Sequence, residues 1–348
     1  MDSILVLQRG STRLEIARPD VPEPYYRGTR FDRAGIILAL ESRGHRYISQ
    51  WFRSYDPWKH DAVGGPTEEF TQIGYEAGLR GDSLIVAGAT DAGCLKPGTE
   101  AAKSGSSFLK PGTEAAKSGS SSLKPSTEAA KRGNSFLKIG VGLLKREDAP
   151  YDRFHLYEVL DPGRTTVRAG TAYATFRQLL KGYYDYSKAV RIPSDGALRI
   201  SHRFRNTGPC KLDFYVYSHN FFILDGAPTG RATRFRFPFA PEGHWRAEYN
   251  AVALVPDGIA FSRDLREGET VFMGDLHAAA DGRHSPGDGY RFSLENLDNG
   301  LRVRAACDRP MDYAVFWSNT EVACIEPYIR FSVPPGETVR WTLDYRFE

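Results

Sequence analysis

An alternation of apolar and polar residues, repeated in segment after segment, is the feature that most limits the fold of this chain. Residues 198–205 place Leu, Ile, His and Phe at the even positions and Arg or Ser at the odd ones, and the same period of two returns at 234–239, 301–305 and 339–347. Successive side chains of a strand point to opposite faces of a sheet, so this period indicates strands with one buried face. Turn sequences rich in Gly, Pro, Asp and Asn separate the segments, at 194–196, 206–208, 256–258, 298–300 and 334–337. Because helix-period stretches are nearly absent, the sequence predicts an all-β protein, a large antiparallel sandwich.

A tandem repeat of 14 residues interrupts this pattern between about residues 95 and 136. Each of its three units reads close to L-K-P-G-T-E-A-A-K-S-G-S-S-F, and so few apolar side chains cannot build a core. We therefore expect a single domain over residues 1–348, interrupted by an exposed, largely disordered loop with at most brief helical turns. Such an insertion is tolerated because the entropy of loop closure rises only slowly with length. A dedicated role in binding a partner is the alternative.

The net charge of +3 belongs to the repeat and not to the rest of the chain. Residues 95–136 hold seven basic and three acidic side chains, which leaves −1 for the remainder and gives no indication of nucleic-acid binding. No apolar run approaches the roughly 18 residues that a membrane span needs, and residues 1–18 lack the apolar core of a signal peptide. We expect a cytoplasmic protein without nucleic-acid or membrane partners. Its oligomeric state is left open.

The cysteines and histidines show no metal-binding pattern. The four cysteines, at 94, 210, 307 and 324, form no C-x-x-C pair, which predicts reduced, mostly buried thiols and no structural zinc site. Two histidines in the Gly- and Asp-rich stretch 277–284 have no cluster of ligands near them in the sequence. Phosphate-binding loops and dinucleotide fingerprints do not stand out either. The sequence predicts no metal ion.

Two short segments place a proton-transferring side chain inside an apolar, strand-like run: residues 217–222 with His219, and residues 324–328 with Glu326. An ionisable group without solvent must be hydrogen-bonded or used, and a histidine with a carboxylate is a common acid and base near neutral pH. Pro327 cannot donate to a sheet ladder, which favours a strand end that opens to a cavity. By composition only, a core histidine and a salt-bridged structural glutamate remain alternatives.

These segments resemble those of a known family. The run YSHNFFILDG at 217–226 is similar to the histidine-bearing strand of aldose 1-epimerases, the galactose mutarotase-like proteins. ACIEP at 323–327 is similar to the strand that bears their catalytic glutamate, and residues 335–347 resemble their last hairpin. The resemblance, to a bacterial subgroup in particular, extends to nearly the whole chain outside the repeat through segments at 26–31, 65–70 and 138–142.

The resemblance implies a supersandwich of large antiparallel sheets with a sugar cleft. It further implies interconversion of the α and β anomers of a free hexose or a related sugar, without metal or organic cofactor. Glu326 would remove the proton of the anomeric hydroxyl and His219 would protonate the ring oxygen, from opposite sides of a pyranose. The expected sugar-binding residues are Glu69, Lys138, Asn220, Arg30 and Trp317.

Several of these roles have alternatives. Alternation turns only one of Glu68 and Glu69 inward, and Glu69 is the one expected to meet the sugar, with a surface role as its alternative. Lys138 stands where the family carries a second histidine, and an exposed structural lysine is its alternative. An outward ion pair is the alternative for Arg30, and core packing is the alternative for Trp317.

Two other functions are compatible with the same resemblance. The missing second histidine motivates a non-catalytic carbohydrate-binding protein on the same fold. A hexose-phosphate 1-epimerase is motivated by arginines that could hold a phosphate group, namely Arg231, Arg234 and Arg236.

Overall fold

The structure, a computed structural model, describes residues 2–59, 63–73, 135–279 and 289–348. Within these ranges the chain forms strands and one short 3-10 turn, Leu224–Gly226, and no helix there has the length and apolar character that crossing a membrane would require. In chain order the strands are β1 (Ile4–Arg9), β2 (Thr12–Ala17), β3 (Ile37–Ser42), β4 (His45–Ile48), β5 (Thr67–Gln72), β6 (Ser135–Lys138), β7 (Gly142–Lys145), β8 (Val159–Asp161), β9 (Arg164–Ala169), β10 (Tyr173–Leu180), β11 (Tyr184–Arg191), β12 (Ala197–Asn206), β13 (Leu212–His219), β14 (Thr233–Arg236), β15 (Pro241–Trp245), β16 (Val252–Val255), β17 (Gly258–Phe261), β18 (Val271–Ala278), β19 (Arg291–Asn296), β20 (Arg302–Cys307), β21 (Tyr313–Ser318), β22 (Ala323–Val333) and β23 (Thr338–Phe347).

Two large antiparallel sheets contain most of these strands. The ten-stranded sheet has the order β16-β17-β14-β19-β20-β23-β12-β11-β10-β9, and the six-stranded sheet has the order β15-β18-β21-β22-β13-β5. Two smaller sheets, β1-β2-β3-β4 and β6-β7-β8, accompany them. Strand β12, which shows the clearest alternation, pairs with β23 so that Ile200 lies opposite Leu343, and both side chains are buried. The prediction of an all-β protein built from large antiparallel sheets is confirmed.

The buried faces of the two large sheets pack against each other through aromatic side chains. The ring of Phe214 in β13 lies 5.0 Å from that of Phe204 in β12, and the ring of Phe331 in β22 lies 4.9 Å from that of Trp341 in β23. Burying one such phenylalanine contributes about 1.5–3 kcal/mol, so the apolar face of each strand is drawn into this layer. The opposite face of β13 and β22 is therefore available for polar side chains.

A loop before β3 is held against β5 and against the turn that follows β6. The Asp32 amide donates to the Glu68 carbonyl at 2.8 Å, and the Arg33 amide donates to the Gly140 carbonyl at 3.1 Å. Gly140 has a φ of +84°, and a Cβ at this position would lie 2.4 Å from Asp32 Oδ1. Only glycine suits so close an approach. These contacts gather three distant parts of the sequence at one edge of the six-stranded sheet.

The predicted loop at about residues 95–136 lies outside the described residues except for its last two. Ser135 and Phe136 begin β6, and the buried ring of Phe136 lies 5.7 Å from that of Tyr151 and 5.1 Å from that of Tyr157. The third unit therefore ends in a strand and not in an exposed loop, because its phenylalanine finds aromatic partners.

The cysteines differ from the prediction at one position. Cys307 and Cys324 are free thiols, whereas Cys210 is disulfide-bonded. The prediction of a reduced thiol is wrong at Cys210, since spacing along the sequence does not report which cysteines meet in the fold. Cys94 lies outside the described residues.

Candidate active site

His219 and Glu326 lie opposite each other on neighbouring strands of the six-stranded sheet. Strand β13 ends at His219, and its register with β22 pairs Tyr217 with Tyr328. An isolated bridge three residues beyond the end of β13 keeps this register, which places His219 across from Glu326. Each of the two residues is 5% exposed. The two segments singled out in the sequence thus form one site.

The two side chains are in contact. His219 Nδ1 lies 2.8 Å from Glu326 Oε1, but the direction is too bent for a good hydrogen bond, so the buried Nδ1 lacks a well-aligned partner. The other ring nitrogen, Nε2, accepts from Arg30 Nη2 at 2.9 Å, which leaves the proton of the neutral imidazole on Nδ1. A pyranose has no room between two groups in contact. This contact does not agree with the expected placement of the two groups on opposite sides of a sugar ring.

The pKa of His219 is lowered from its ordinary value. Burial is the largest cause because it disfavours the charged imidazolium, and the Arg30 charge acts in the same direction. The carboxylate of Glu326 raises the pKa, but its attraction does not offset the loss of solvent. The imidazole is therefore neutral at pH 7 and takes up a proton only in more acidic solution.

Glu69 of β5 stands among three cationic side chains. Its carboxylate lies 2.6 Å from Arg30 Nε, 3.2 Å from Lys138 Nζ and 3.9 Å from Arg153 Nη1. Burial would raise the pKa of Glu69, but these three charges and the hydroxyl of Tyr217 hold it well below its ordinary value. Glu69 is therefore an ionised, fully buried anchor for cations from three separate segments of the chain.

Two members of this cluster were not among the predicted site residues. The Tyr217 hydroxyl donates to Glu69, accepts from Arg153 Nη1 at 3.2 Å and lies 3.1 Å from His219 Nε2. Tyr217 precedes His219 by two positions in a strand, so alternation alone could have placed both on one face. Arg153 comes from a loop without a periodic pattern, and only the tertiary structure brings it here.

Arg30 and Lys138 are buried within the cluster, with 7% and 3% of their surfaces exposed. Neither an outward ion pair for Arg30 nor an exposed structural lysine at 138 agrees with this burial. Lys138 also donates to the Tyr151 hydroxyl at 2.9 Å. The structure thus brings three of the five expected sugar-binding residues, Arg30, Glu69 and Lys138, together beside His219.

Trp317 lies near the pair but belongs to an aromatic group. It is half-buried in β21, opposite Cys324 and therefore on the same sheet face as Glu326. Its ring lies 5.7 Å from that of Trp51 and 6.1 Å from that of Phe221. Core packing on one side and an accessible ring surface on the other are both consistent with this position.

Asn220 is not brought to the cluster. Its Nδ2 donates to the Ile325 carbonyl at 2.7 Å, and its Oδ1 accepts from the Tyr345 hydroxyl at 2.9 Å. The residue has no exposed surface. Because both ends of the amide are bonded in the core, the position of Asn220 supports a structural role and not the expected sugar contact.

Comparison with known proteins gives a fold. No protein-family model matches the sequence, and no curated protein matches it. Solved structures do match: a galactose mutarotase related enzyme from Lactobacillus acidophilus aligns with a TM-score of 0.52 at 11% identity, over 99% of this chain and 97% of that one. A galactose mutarotase-like protein from Clostridium acetobutylicum aligns with a TM-score of 0.50 at 12% identity, over 99% of this chain and 95% of that one. This chain has the galactose mutarotase-like fold.

The galactose mutarotase-like fold agrees with the resemblance found in the sequence. The ten-stranded and six-stranded sheets are the large antiparallel sheets that the resemblance implied. At 11% and 12% identity the likeness concerns the path of the backbone. The contacts of individual residues, and not this likeness, therefore indicate their roles.

Within this galactose mutarotase-like fold, Glu68 and Glu69 face opposite sides of β5. Glu68 turns into the layer between the large sheets, where it pairs with Lys188 and lies 3.3 Å from His202 Nε2. All three side chains are buried. The Lys188 and His202 charges outweigh burial and lower the pKa of Glu68 to about 2. The structure thus places Glu69, not Glu68, in the polar cluster.

The arginines that motivated a sugar-phosphate substrate belong to other surroundings. Arg236 of β14, in the ten-stranded sheet, pairs with Asp257 at 2.5 Å and Glu295 at 3.5 Å. Arg234 donates to the Phe261 carbonyl at 3.4 Å. These contacts tie the arginines to their own sheet and give no support for a phosphate site beside His219.

Proposed function

We propose that the protein is an aldose 1-epimerase-like enzyme that interconverts the α and β anomers of a free hexose or a related sugar. The observation that carries the proposal is the contact between His219 Nδ1 and Glu326 Oε1 at 2.8 Å on the polar face of the six-stranded sheet. The hydroxyl oxygen and the ring oxygen of a cyclic aldose are bonded to the same carbon. A base and an acid that touch each other are spaced to meet these two neighbouring oxygens.

Ring opening moves one proton onto Glu326 and one proton off His219, and ring closure reverses both transfers. Glu326 takes the proton of the anomeric hydroxyl, while protonated His219 gives its Nδ1 proton to the ring oxygen. The bond between the anomeric carbon and the ring oxygen breaks, and a carbonyl forms. After rotation about the bond to the next carbon, closure on the other carbonyl face returns both protons and yields the other anomer.

The neighbouring cluster supports this role. After His219 has given up its Nδ1 proton, the remaining proton sits on Nε2, and Arg30 Nη2 no longer donates to this nitrogen. The Tyr217 hydroxyl, 3.1 Å away, can accept the hydrogen bond from Nε2. The N–H groups of Arg30, Lys138 and Arg153 offer donors for sugar oxygens, held in place by the buried carboxylate of Glu69. The site is thus preorganised before a sugar enters.

Anomer exchange of freshly dissolved α-aldoses, followed by proton NMR, tests the proposal. We expect at least one sugar to equilibrate faster than in buffer, and Glu326→Gln to slow this exchange by roughly 10²- to 10⁴-fold because general base catalysis is removed. Glu337→Gln, the same substitution in an exposed turn, is the matched control and should leave the rate unchanged. Rates equal to buffer for every sugar, or an undiminished rate in Glu326→Gln, would contradict the proposal.

The same samples separate the two alternatives. Binding of a sugar by calorimetry, without any increase in exchange rate, would favour a non-catalytic carbohydrate-binding protein. Faster exchange of a phosphorylated hexose than of the free sugar would favour a hexose-phosphate 1-epimerase.

A further inference from the structure

A third side chain with metal-ligating chemistry adjoins the His219 and Glu326 pair. Cys324 is buried in β22 two positions before Glu326, and its Sγ lies 3.8 Å from Glu326 Oε1. The potential ligand atoms of the three residues all lie within 4.8 Å of one another. Alternation along β22 puts the thiol and the carboxylate on one face, and β13 supplies the imidazole from the neighbouring strand. The three donors therefore lie close enough together to be considered as ligands of one ion.

An unsatisfied atom at this point gives independent support. His219 Nδ1 is buried and has no hydrogen-bond partner of good geometry, although Glu326 Oε1 is 2.8 Å away. A buried polar atom without a partner is costly, and a bound ion is one of the usual ways in which it is satisfied. Cys324 is not in a disulfide, so its sulfur can become a ligand.

The geometry fits a tetrahedral metal site with one open position. Zinc binds imidazole nitrogen and carboxylate oxygen at about 2.0–2.2 Å and thiolate sulfur at about 2.3 Å, which sets neighbouring ligand atoms roughly 3.3–3.8 Å apart. The observed separations are 2.8 Å for nitrogen and oxygen and 3.8 Å for sulfur and oxygen, and all three ligand atoms lie within 4.8 Å of one another, so side-chain shifts of about 1 Å bring them to these values. The combination of thiol, imidazole and carboxylate suits zinc better than magnesium or calcium, which prefer oxygen ligands.

We propose that His219 Nδ1, Cys324 Sγ and Glu326 bind a zinc ion that switches the site off. The thiol releases its proton to solvent as it becomes a thiolate. The imidazole stays neutral because its proton moves from Nδ1 to Nε2. Arg30 Nη2 then stops donating to Nε2, and the new N–H is donated to the Tyr217 hydroxyl, which lies 3.1 Å from Nε2. Zinc then occupies the atoms that would take and give the protons of a sugar. The inhibitory part of this proposal rests on the proposed function, whereas the binding part does not.

Zinc binding is measured by competition with a chromophoric chelator, using metal-free protein in which the disulfide of Cys210 is left intact. We expect one zinc ion per wild-type chain and at least a tenfold weaker affinity in Cys324→Ser, because serine does not replace a thiolate ligand. Cys307→Ser is the matched control: Cys307 is the other free thiol among the described residues, its Sγ lies 3.8 Å from an Asp308 oxygen, and its removal should leave the affinity unchanged. Glu326→Gln, which removes a different ligand, decides the question if Cys324→Ser does not fold.

A spectroscopic measurement identifies the sulfur ligand directly. Cobalt(II) added in place of zinc should give a thiolate-to-cobalt charge-transfer band in the wild type and in Cys307→Ser, but not in Cys324→Ser. Absence of the band in the wild type, or equal zinc affinity in the wild type and Cys324→Ser, overturns the proposed site.

Activity is measured separately, each variant being compared with its own metal-free rate. Zinc should abolish anomer exchange in the wild type, and a chelator should restore it. If no sugar shows accelerated exchange in metal-free protein, the proposed function fails, while the titration still decides whether zinc binds. If exchange is fast and bound zinc does not slow it, the inhibitory role fails and the proposed function stands.

Discussion

Arg30 Nη2 lies 2.9 Å from His219 Nε2, so a guanidinium is bonded directly to the imidazole of the candidate acid. The same guanidinium pairs with Glu69 at 2.6 Å through its Nε. Arg30 therefore joins the cationic cluster to the His219 and Glu326 pair. The charge of this cluster influences the pH at which His219 takes up a second proton.

Replacing Arg30 should raise the pKa of His219. The positive charge of Arg30 lowers that pKa, and Arg30→Gln removes the charge while leaving burial in place. Since the proposed acid is the protonated imidazole, anomer exchange should persist to higher pH in the variant. The pKa is measured from the pH dependence of the His219 imidazole signals by NMR. Arg27→Gln, on the same loop, is the control, and a His219 pKa that falls or stays constant in Arg30→Gln would contradict the assigned electrostatics.

Replacing Glu326 should move the same pKa in the opposite direction. The carboxylate attracts the imidazolium and partly opposes the effect of burial, so Glu326→Gln should lower the pKa of His219 below its value in the wild type. The same NMR titration measures it. Because Arg30→Gln and Glu326→Gln shift one signal in opposite directions, a general loosening of the structure cannot produce both results. Equal shifts in one direction would refute the arrangement.

Substitutions of the neighbours Glu68 and Glu69 should have different effects. Glu68→Gln should mainly lower stability, and Glu69→Gln should mainly weaken sugar binding. Glu68→Gln leaves Lys188 buried without its carboxylate partner and should lower the free energy of unfolding by about 3–5 kcal/mol. The affinity for the sugar that exchanges fastest should change little, because Glu68 faces the layer between the sheets. Glu69→Gln removes the carboxylate that Arg30, Lys138 and Arg153 share and should weaken that affinity. Denaturant unfolding and calorimetry measure the two quantities, and a larger loss of affinity in Glu68→Gln would reverse the assignment.

The buried Asp32 should make stability depend on pH. Burial and the nearby Glu68 raise the pKa of Asp32 to about 7. The native carboxyl keeps its proton up to that pH, whereas the unfolded chain loses it near pH 4, so unfolding releases a proton between these values. The stabilisation is complete below pH 4 and is lost as pH rises through 7, at up to about 1.4 kcal/mol per pH unit.

Comparison of the wild type with Asp32→Asn isolates this effect, since asparagine does not titrate. The wild type should lose stability relative to the variant as pH rises from 5 to 7. Taking the difference also removes most of the opposite contribution of His202 and His219, whose lowered pKa values favour the native state as pH rises. Denaturant unfolding at a series of pH values is the measurement, with Asp298→Asn in an exposed turn as the control. A pH-independent difference would show that Asp32 is ionised throughout.

The local sequence pattern was sufficient to predict the strands and which face of a strand each side chain occupies. Alternation identified β12 and β23. It also puts Tyr217 on the same face as His219 and Cys324 on the same face as Glu326, because successive side chains of a strand point to opposite faces. It could not place Arg153, whose loop has no period, nor show that Asn220 turns into the core. It also left open whether Arg30 and Lys138 are buried, since the exposure of a long cationic side chain depends on which segments cover it.

The sequence by itself determined the all-β architecture and the two segments that carry His219 and Glu326, because periodicity and short motifs are properties of neighbouring residues. Only the tertiary structure decided that these two side chains touch, that Arg30 occupies the second imidazole nitrogen and that Cys324 completes a group of three ligands. Those relationships depend on strand register and on contacts between residues more than a hundred positions apart, and they set distances and solvent access. Distance and solvent access in turn decide protonation, and with it the chemistry open to the site.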